Sequence, residues 1–325
     1  MTSSGTIGTT IIDTAKVLEH ALRRCKIKPG LQTPEVVETA RESLFLLLTS
    51  LSARGLNLWC VDKVLVGLTA AQATYVLPTG TLDVMNVVYS QPTPVVGTTS
   101  SGVNSLTSTL TETAIVVRIG VKCSAVTATS TLTLEAYDGS WSTLSTTAKT
   151  DWEPDTWYWF DIDPSATGTA FRATFNAAAT VSDICLATAV RDLPMSQLNR
   201  DTWASMPNKT APGRPSVNYF LEKKLTPQLT LWPVPSTDAD CLLLYAHRQP
   251  QDVGTLTQTL EIPVRWYNPF IWQLAALLCF ELDMVDAAVI PIVTQMAEKS
   301  VIEAERSETD GSSMFIQPNI GVYTR

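Results

Sequence analysis

Residues 199–235 read NRDTWASMPNKTAPGRPSVNYFLEKKLTPQLTLWPVP, and the punctuation of this stretch decides how the chain around it is built. Prolines at 207, 212, 215, 227 and 233, with Pro235 closing the run, each remove a backbone donor and push the preceding residue toward extended geometry. That spacing leaves no room for a helix. Residues 217–221 and 229–232 carry the β-branched and aromatic content of strands, whereas Pro207-Asn208 and Pro212-Gly213 are turn chemistry. The reading is a hairpin-like pair of strands.

Outward on the C-terminal side, residues 241–247 form one more strand pattern, and Asn268 as N-cap with Pro269 at the first helical position opens an apolar helix to Leu282. A second helix, 285–307, starts or is interrupted near Pro291 and carries Glu298, Glu303, Glu305 and Arg306 on its polar face. On the N-terminal side, Ile11, Ile12, Ala15, Leu18 and Leu22 recur at helical spacing, with Thr9 or Thr10 as the cap. Thr33, Pro34 and Glu35 then open a helix that Gly55 ends. Its middle, LFLLL at 44–48, is apolar all round, which predicts burial on more than one face, inside a monomer or between subunits. From 61 to 89 the period changes to two, with strands at 64–66, 73–77 and 84–89.

Residues 92–113 are rich in Ser, Thr, Gly and Pro and read as an exposed linker. Short strands follow at 115–121, 132–137, 157–162, 171–175 and 184–187, with Asp138-Gly139 as a turn, and their spacing predicts a β-sandwich. The fold class expected is α+β: a helical domain with a small β-sheet, interrupted by an inserted antiparallel β-sandwich. Its parts are 1–94, the insertion at 95–190, the resumed domain at 191–309, and a tail at 310–325.

The order of residues in the opening stretch resembles the head-to-tail connector, or portal adaptor, family of tailed bacteriophages, which includes packaged-DNA stabilisation proteins. The residues that carry it are Arg200, Asp201, Trp203, Met206, Pro207, Asn208, Lys209, Gly213, Arg214 and Pro215, then 229–235. SARGLNLW at 52–59, LTAAQATYVL at 68–77 and RQPQDVGTLTQ at 248–258 add to it. The resemblance implies a non-enzymatic, structural virion protein at the neck of the particle, assembled in the host cytoplasm. It implies a twelve-fold ring that binds the portal protein above and tail or nozzle proteins below, extends the DNA channel and retains packaged DNA, which passes without sequence-specific binding. It also implies a C-terminal tail that clasps the portal, with Phe315, Ile316 and Tyr323 as anchors and Arg325 at the rim. WYWFDID at 157–163 and residues 182–186 resemble discoidin-like jelly-roll modules.

Composition narrows the alternatives. The chain of 325 residues has a net charge of -8, against the clustered Lys and Arg that a sequence-independent nucleic-acid binder needs. Between residues 95 and 190 there are 4 basic and 9 acidic side chains, so most of the negative charge sits there. The densest basic group is Lys209, Arg214, Lys223 and Lys224. Six cysteines, the nearest two 35 residues apart, form no C-x-x-C for zinc or redox work, and Cys123 with Cys185 is the pair to check for a bridge. The N-terminus lacks a basic segment before an apolar run, so no signal peptide is expected, and no apolar window reaches membrane-spanning length.

No P-loop, dinucleotide fingerprint, zinc-protease or nucleophile-elbow motif occurs, and the two histidines, His20 on the polar side of the first helix and His247 at the end of a strand, read as solvated or packing residues, since a metal site wants clustered ligands. No catalytic, cofactor or metal residue is expected. The constellation that looks most like a site is Asp151, Glu153, Asp155, Asp161 and Asp163 around Trp152, Trp157, Tyr158 and Trp159. Acids beside aromatics serve glycoside hydrolysis, and aromatic platforms serve passive sugar binding. Alternation puts Trp157, Trp159 and Asp161 on one strand face, which is also how a sandwich strand fills its core. A carbohydrate-binding or adhesion protein acting through the sandwich, using Trp152, Trp157 and Trp159, is therefore the alternative to the adaptor, with a peptidoglycan hydrolase third.

Overall fold

The structure, a computed structural model, describes residues 12–54 and 58–307. Contacts divide the chain into a helical unit, Met1–Trp59 with Gln249–Arg325, and a β unit, Cys60–Arg248. Among the described residues there are five α-helices: α1 (Thr14–Arg24), α2 (Pro34–Arg54), α3 (Arg200–Ser205), α4 (Val264–Glu281) and α5 (Ile290–Ser307). All but α3 belong to the helical unit.

Asp13, rather than Thr9 or Thr10, caps α1: its carboxylate accepts from the Lys16 amide at 2.9 Å, satisfying a donor that the first turn leaves orphaned. The buried faces are Val17, Ala21 and Leu22 of α1, Ala40, Leu44 and Leu47 of α2, Trp266, Phe270, Leu274 and Leu278 of α4, and Val293 of α5. Of the LFLLL run, Leu44, Leu47 and Leu48 are buried, but Phe45 and Leu46 are 44% and 57% exposed. The expected burial on several faces is thus reduced to one stripe at helical spacing. α4 begins at Val264 and carries Pro269 inside it, so Asn268 is not its cap; the Asn268 carbonyl instead accepts from Arg24, which also lies 4.1 Å over the Trp272 ring.

The β unit has fifteen strands. In chain order they are β1 (Val61–Gly67), β2 (Thr74–Val76), β3 (Thr81–Val95), β4 (Thr98–Gly102), β5 (Ser105–Val126), β6 (Ser130–Tyr137), β7 (Trp141–Lys149) and β8 (Trp157–Phe175). The rest are β9 (Ala179–Pro194), β10 (Ser196–Gln197), β11 (Pro212–Gly213), β12 (Asn218–Glu222), β13 (Gln228–Trp232), β14 (Val234–Pro235) and β15 (Cys241–Arg248). One nine-stranded sheet runs β1-β15-β3-β9-β5-β8-β6-β7, with β4 also on β5. A four-stranded sheet, β10-β12-β13-β2, packs on one face of β1, β3 and β15 through Tyr75, Tyr219, Leu229, Leu231, Tyr89, Leu242 and Leu244.

This corrects the expected fold class. The protein is dominated by antiparallel sheet, not by helices with a small sheet. Contacts place the division at residues 59 and 249, and β3 and β9 pair across residues 94 and 190, from Val88↔Pro194 to Val95↔Leu186, with a register shift between Thr93 and Pro94. The supposed linker at 92–113 is strand, since β4 and the start of β5 pair from Thr98↔Thr109 to Gly102↔Ser105. Threonine is β-branched, and Leu106 and Leu110 supply the alternate inward positions, so a Ser/Thr-rich stretch satisfies a half-buried strand. In the opening stretch the hairpin is present, with Asn218 opposite Trp232 and Glu222 opposite Gln228. The one helix there, α3, ends before the first proline and is capped by Asn199, which accepts from Thr202 N.

Two groups of buried charge pin the sheet. Asp240, with no exposure, accepts both Nε and Nη2 of Arg214 at 2.7 and 2.8 Å and the Tyr89 hydroxyl at 2.6 Å. Arg118, also buried, donates to Asp161 at 2.6 Å, to Ser90 Oγ at 2.7 Å and to the Cys241 thiol at 3.2 Å, while Lys63 closes on the other Asp161 oxygen. Burial pushes the Asp161 carboxyl up, but hydrogen bonds and charge from Lys63 and Arg118 outweigh it and hold the group below its ordinary value.

Replacing Arg214 with Met strands a buried carboxylate. It should cost about 3 kcal/mol, read as a lowered urea midpoint with unchanged slope. The double change with Asp240→Asn should recover part of that loss, because the two side chains share one interaction. For Asp161, whose folded pKa is depressed, the stability it contributes is present above its unfolded value and disappears as the pH falls through the folded one. Asp161→Asn should therefore flatten the acid limb of the stability curve below about pH 4, the ordinary carboxyl range.

Candidate functional site

The aromatic residues read either as a binding platform or as the packed face of a sandwich strand are in the interior. Trp152, Trp157 and Trp159 are 3%, 8% and 4% exposed. Trp152 packs edge-on to Phe175 and Tyr158 in the sandwich core and donates its indole N–H to the Ser130 carbonyl at 2.9 Å. Trp157 and Trp159 stack 5.6 Å apart in a separate cluster with Cys241, against Leu65 and Cys185. That site exists because Gly67 and Gly120 lack a side chain: a Cβ would lie 2.2 Å from the Trp157 carbonyl or 2.8 Å from the Trp159 ring. As surface platforms these three tryptophans are corrected to core residues; aromatic strand positions fill whichever face has room.

The acids do not converge on them. Asp161 is bound to Lys63 and Arg118, Asp151 lies 3.5 Å from Lys149, and Glu153, Asp155 and Asp163 are exposed. Cys123 lies in the sandwich core and Cys185 beside Trp157, on opposite faces, and both are free thiols. The basic group is dispersed into local pairs: Arg214 with Asp240, Lys223 with Asp83 at 2.7 Å, Lys224 with Glu222 at 2.5 Å, and Lys209 over the Trp203 ring. His20 is exposed and His247 buried, and among the described residues no three metal-ligand types cluster. Phe315, Ile316, Tyr323 and Arg325 lie outside the described residues.

What the sheet does present is the outward face of β7, β6 and β8. On β6, Ser130, Leu132, Leu134 and Ala136 point into the core, so Thr131, Thr133, Glu135 and Tyr137 point out. Register places Arg172 opposite Glu135 on one side and Thr143 opposite it on the other, with Trp141 across the hairpin from Tyr137. The hairpin turns through Asp138, Gly139 and Ser140, and Gly139 takes φ +78°, which a glycine adopts without strain. Sequence reading recognised this turn but not its consequence. Aromatics flanking a tight hairpin turn on paired positions share one face, so Y-D-G-S-W was the available signal.

Trp141 and Tyr137 are 38% and 37% exposed, with ring centroids 5.3 Å apart and planes at 54°. The Arg172 guanidinium carbon sits 4.3 Å over the Trp141 ring, and its Nε donates to Glu135 at 2.8 Å. The guanidinium is thus fixed by stacking and by a charge-assisted bond, with further N–H donors beside carboxylate acceptor sites. The face offers an apolar ring surface, an oriented donor and an oriented acceptor, bordered by threonine hydroxyls. Such a set recognises a molecule with an apolar ring face and a rim of hydroxyl groups.

No family model matches the chain, and no curated protein matches it. Among solved structures, CpGH89CBM32-6 produced by Clostridium perfringens aligns at 14% identity and TM-score 0.23, over 36% of this chain and 92% of that one. Chitosan-binding module 1 of a chitosanase/glucanase from Paenibacillus sp. IK-5 aligns at 11% and 0.20, over 39% and 94%. A rhamnosidase from Novosphingobium sp. PP1Y aligns at 11% and 0.25, over 73% and 27%. No phage connector is among these, and the ring-forming head-to-tail adaptor function expected from the sequence is corrected together with its fold premise, a helical domain with a small sheet, which the structure does not have. At these scores the functional argument rests on the face itself.

Proposed function

We propose that the β unit binds carbohydrate, without catalysis, through the outward face of β6, β7 and β8. The observation that carries this reading is the exposed Trp141–Tyr137 pair set beside an Arg172–Glu135 pair on a sheet face bordered by threonines. A sugar ring laid on the indole buries its C–H face, while its hydroxyl groups accept from Arg172 and donate to Glu135. One side of the indole already carries the guanidinium, so the ligand takes the solvent side. The pairing of Arg172 with Glu135 keeps the patch close to neutral, which suits an uncharged ligand over a polyanion. Asp161, the acid most strongly tied into the sheet, is held ionised by its two cations and makes a poor proton donor, in keeping with a binding role.

Affinity electrophoresis through hydroxyethylcellulose, galactomannan, xylan and dextran, with alginate and polygalacturonate as acidic controls, tests the proposal. The chain should be retarded by at least one neutral polymer, and Trp141→Ala should weaken binding by about 30-fold, as expected for loss of a central aromatic contact. Absence of retardation by every polymer would refute it.

The two kinds of tryptophan should also part in stability measurements. Trp141→Ala, at a surface position, should change stability by about 0.5 kcal/mol, whereas Trp152→Ala, in the core, should cost about 3–5 kcal/mol. Thermal melts of the two variants check this directly.

A further inference from the structure

The helical unit holds two thiols in contact. Cys25 closes the C-terminal end of α1, and Cys279 lies in the last turn of α4, four residues after Ala275. The Cys25 thiol donates to the Ala275 carbonyl at 3.2 Å, and its sulfur is 3.7 Å from that of Cys279. Both are buried, at 1% and 4% exposure, in one apolar cluster with Ala21, Leu22, Leu274 and Leu278. A disulfide bond is about 2.05 Å long, so the two sulfurs need to close by roughly 2 Å, a movement on the scale of side-chain rotation. Cys123, Cys185 and Cys241 belong to other clusters, all in the β unit.

We propose that Cys25 and Cys279 are a modification site: an inducible disulfide that ties the end of α1 to the end of α4, made by exchange with a small-molecule disulfide. The proposal is independent of the carbohydrate reading, since β6, β7 and β8 carry no cysteine. In the first step one of the two thiolates attacks a sulfur of the small disulfide, forming a mixed disulfide and releasing one small thiolate. The other protein thiolate then attacks the protein sulfur of that mixed bond and expels the second small thiolate. Two protein thiols are oxidised, one small disulfide is reduced, and the two protons lost by the protein end on the released thiols. Burial pushes both thiols up from their ordinary range, and the Cys279 sulfur beside it raises Cys25 further. Thiolate is therefore scarce while the helices are closed, and reaction waits on opening. Both cysteines sit in terminal turns, which open at lower free energy than helix centres, and the chain leaves α1 through Lys26 at φ +64°, a conformation that a residue with a side chain rarely adopts. Once made, the bond is shielded from reductant by the same packing. It joins positions 254 apart in sequence, so it restricts the unfolded chain over most of its length, the β unit included.

The test is a disulfide map of the folded full chain. The protein is incubated with glutathione disulfide, quenched with acid, alkylated in guanidinium and digested without reductant for mass spectrometry. A Cys25–Cys279 linked peptide should appear, with the other four cysteines alkylated. The oxidised chain should melt about 5 °C higher than the reduced one, and dithiothreitol added to the unfolded protein should abolish the linked peptide. Cys279→Ala should yield neither the link nor the rise in melting temperature, while retardation by a neutral polysaccharide should be the same for reduced and oxidised wild type. The wild-type map decides the matter even if the variant folds poorly. Six alkylated cysteines after prolonged oxidation, a mixed disulfide that never closes, a Cys185–Cys241 link in place of the expected one, or a link that forms only in urea would each overturn the proposal and leave the carbohydrate reading untouched.

Discussion

The β5–β8 ladder is the constraint on which the rest of the β unit depends. The two strands are 22 and 19 residues long and pair from Ser105↔Thr174 to Lys122↔Trp157. Strands of that length serve more than one core. In the first half, Leu106, Phe171 and Ala173 face the sandwich interior, leaving Arg172 outward beside Glu135. The register shifts between Thr109/Ala114 and Val116/Arg118 re-aim the side chains that follow. Beyond them Ile119 and Val121 face the sandwich core, and Arg118 and Gly120 turn to the other face, toward Asp161 and Trp159. The same irregularity thus sets the buried charge cluster and the position of the candidate site.

Arg118 makes that arrangement specific. Its partners come from β3, β8 and β15, and Lys63 of β1 joins through Asp161. A buried guanidinium is tolerated only where its donors are met, so sliding any one strand by a residue would leave a charge unpaired in the interior. Asp240 does the same on the opposite face, where Arg214 comes from the proline-rich stretch and Tyr89 from β3. The role of GRP at 213–215 is therefore structural, delivering an arginine to a buried carboxylate.

Legibility in the sequence followed the strength of the local signal. The 218–222/228–232 hairpin could be read because prolines and turn residues bracket two short β-branched runs. α2 could be read because Pro34 and Glu35 mark its start. The 92–113 stretch was misread because Ser and Thr are as common in loops as on the outer face of a strand, and only pairing with β9 and β5 tells them apart. The tryptophans at 152, 157 and 159 show the limit for sites. Alternation put Trp157 and Trp159 on one face but could not say that glycines 67 and 120 make room for them inside. Trp141 passed unnoticed because its meaning depends on a partner across a turn and on Arg172, 31 residues away in sequence.

The most direct measurement of the central claim is an amide chemical-shift titration of the chain with a neutral oligosaccharide. The account predicts perturbations confined to β6, β7 and the 170–176 end of β8, together with the indole N–H of Trp141, and little change at the buried indoles of Trp157 and Trp159. Perturbations centred instead on the β12–β13 hairpin or on the helical unit, with the Trp141 signal unmoved, would contradict it.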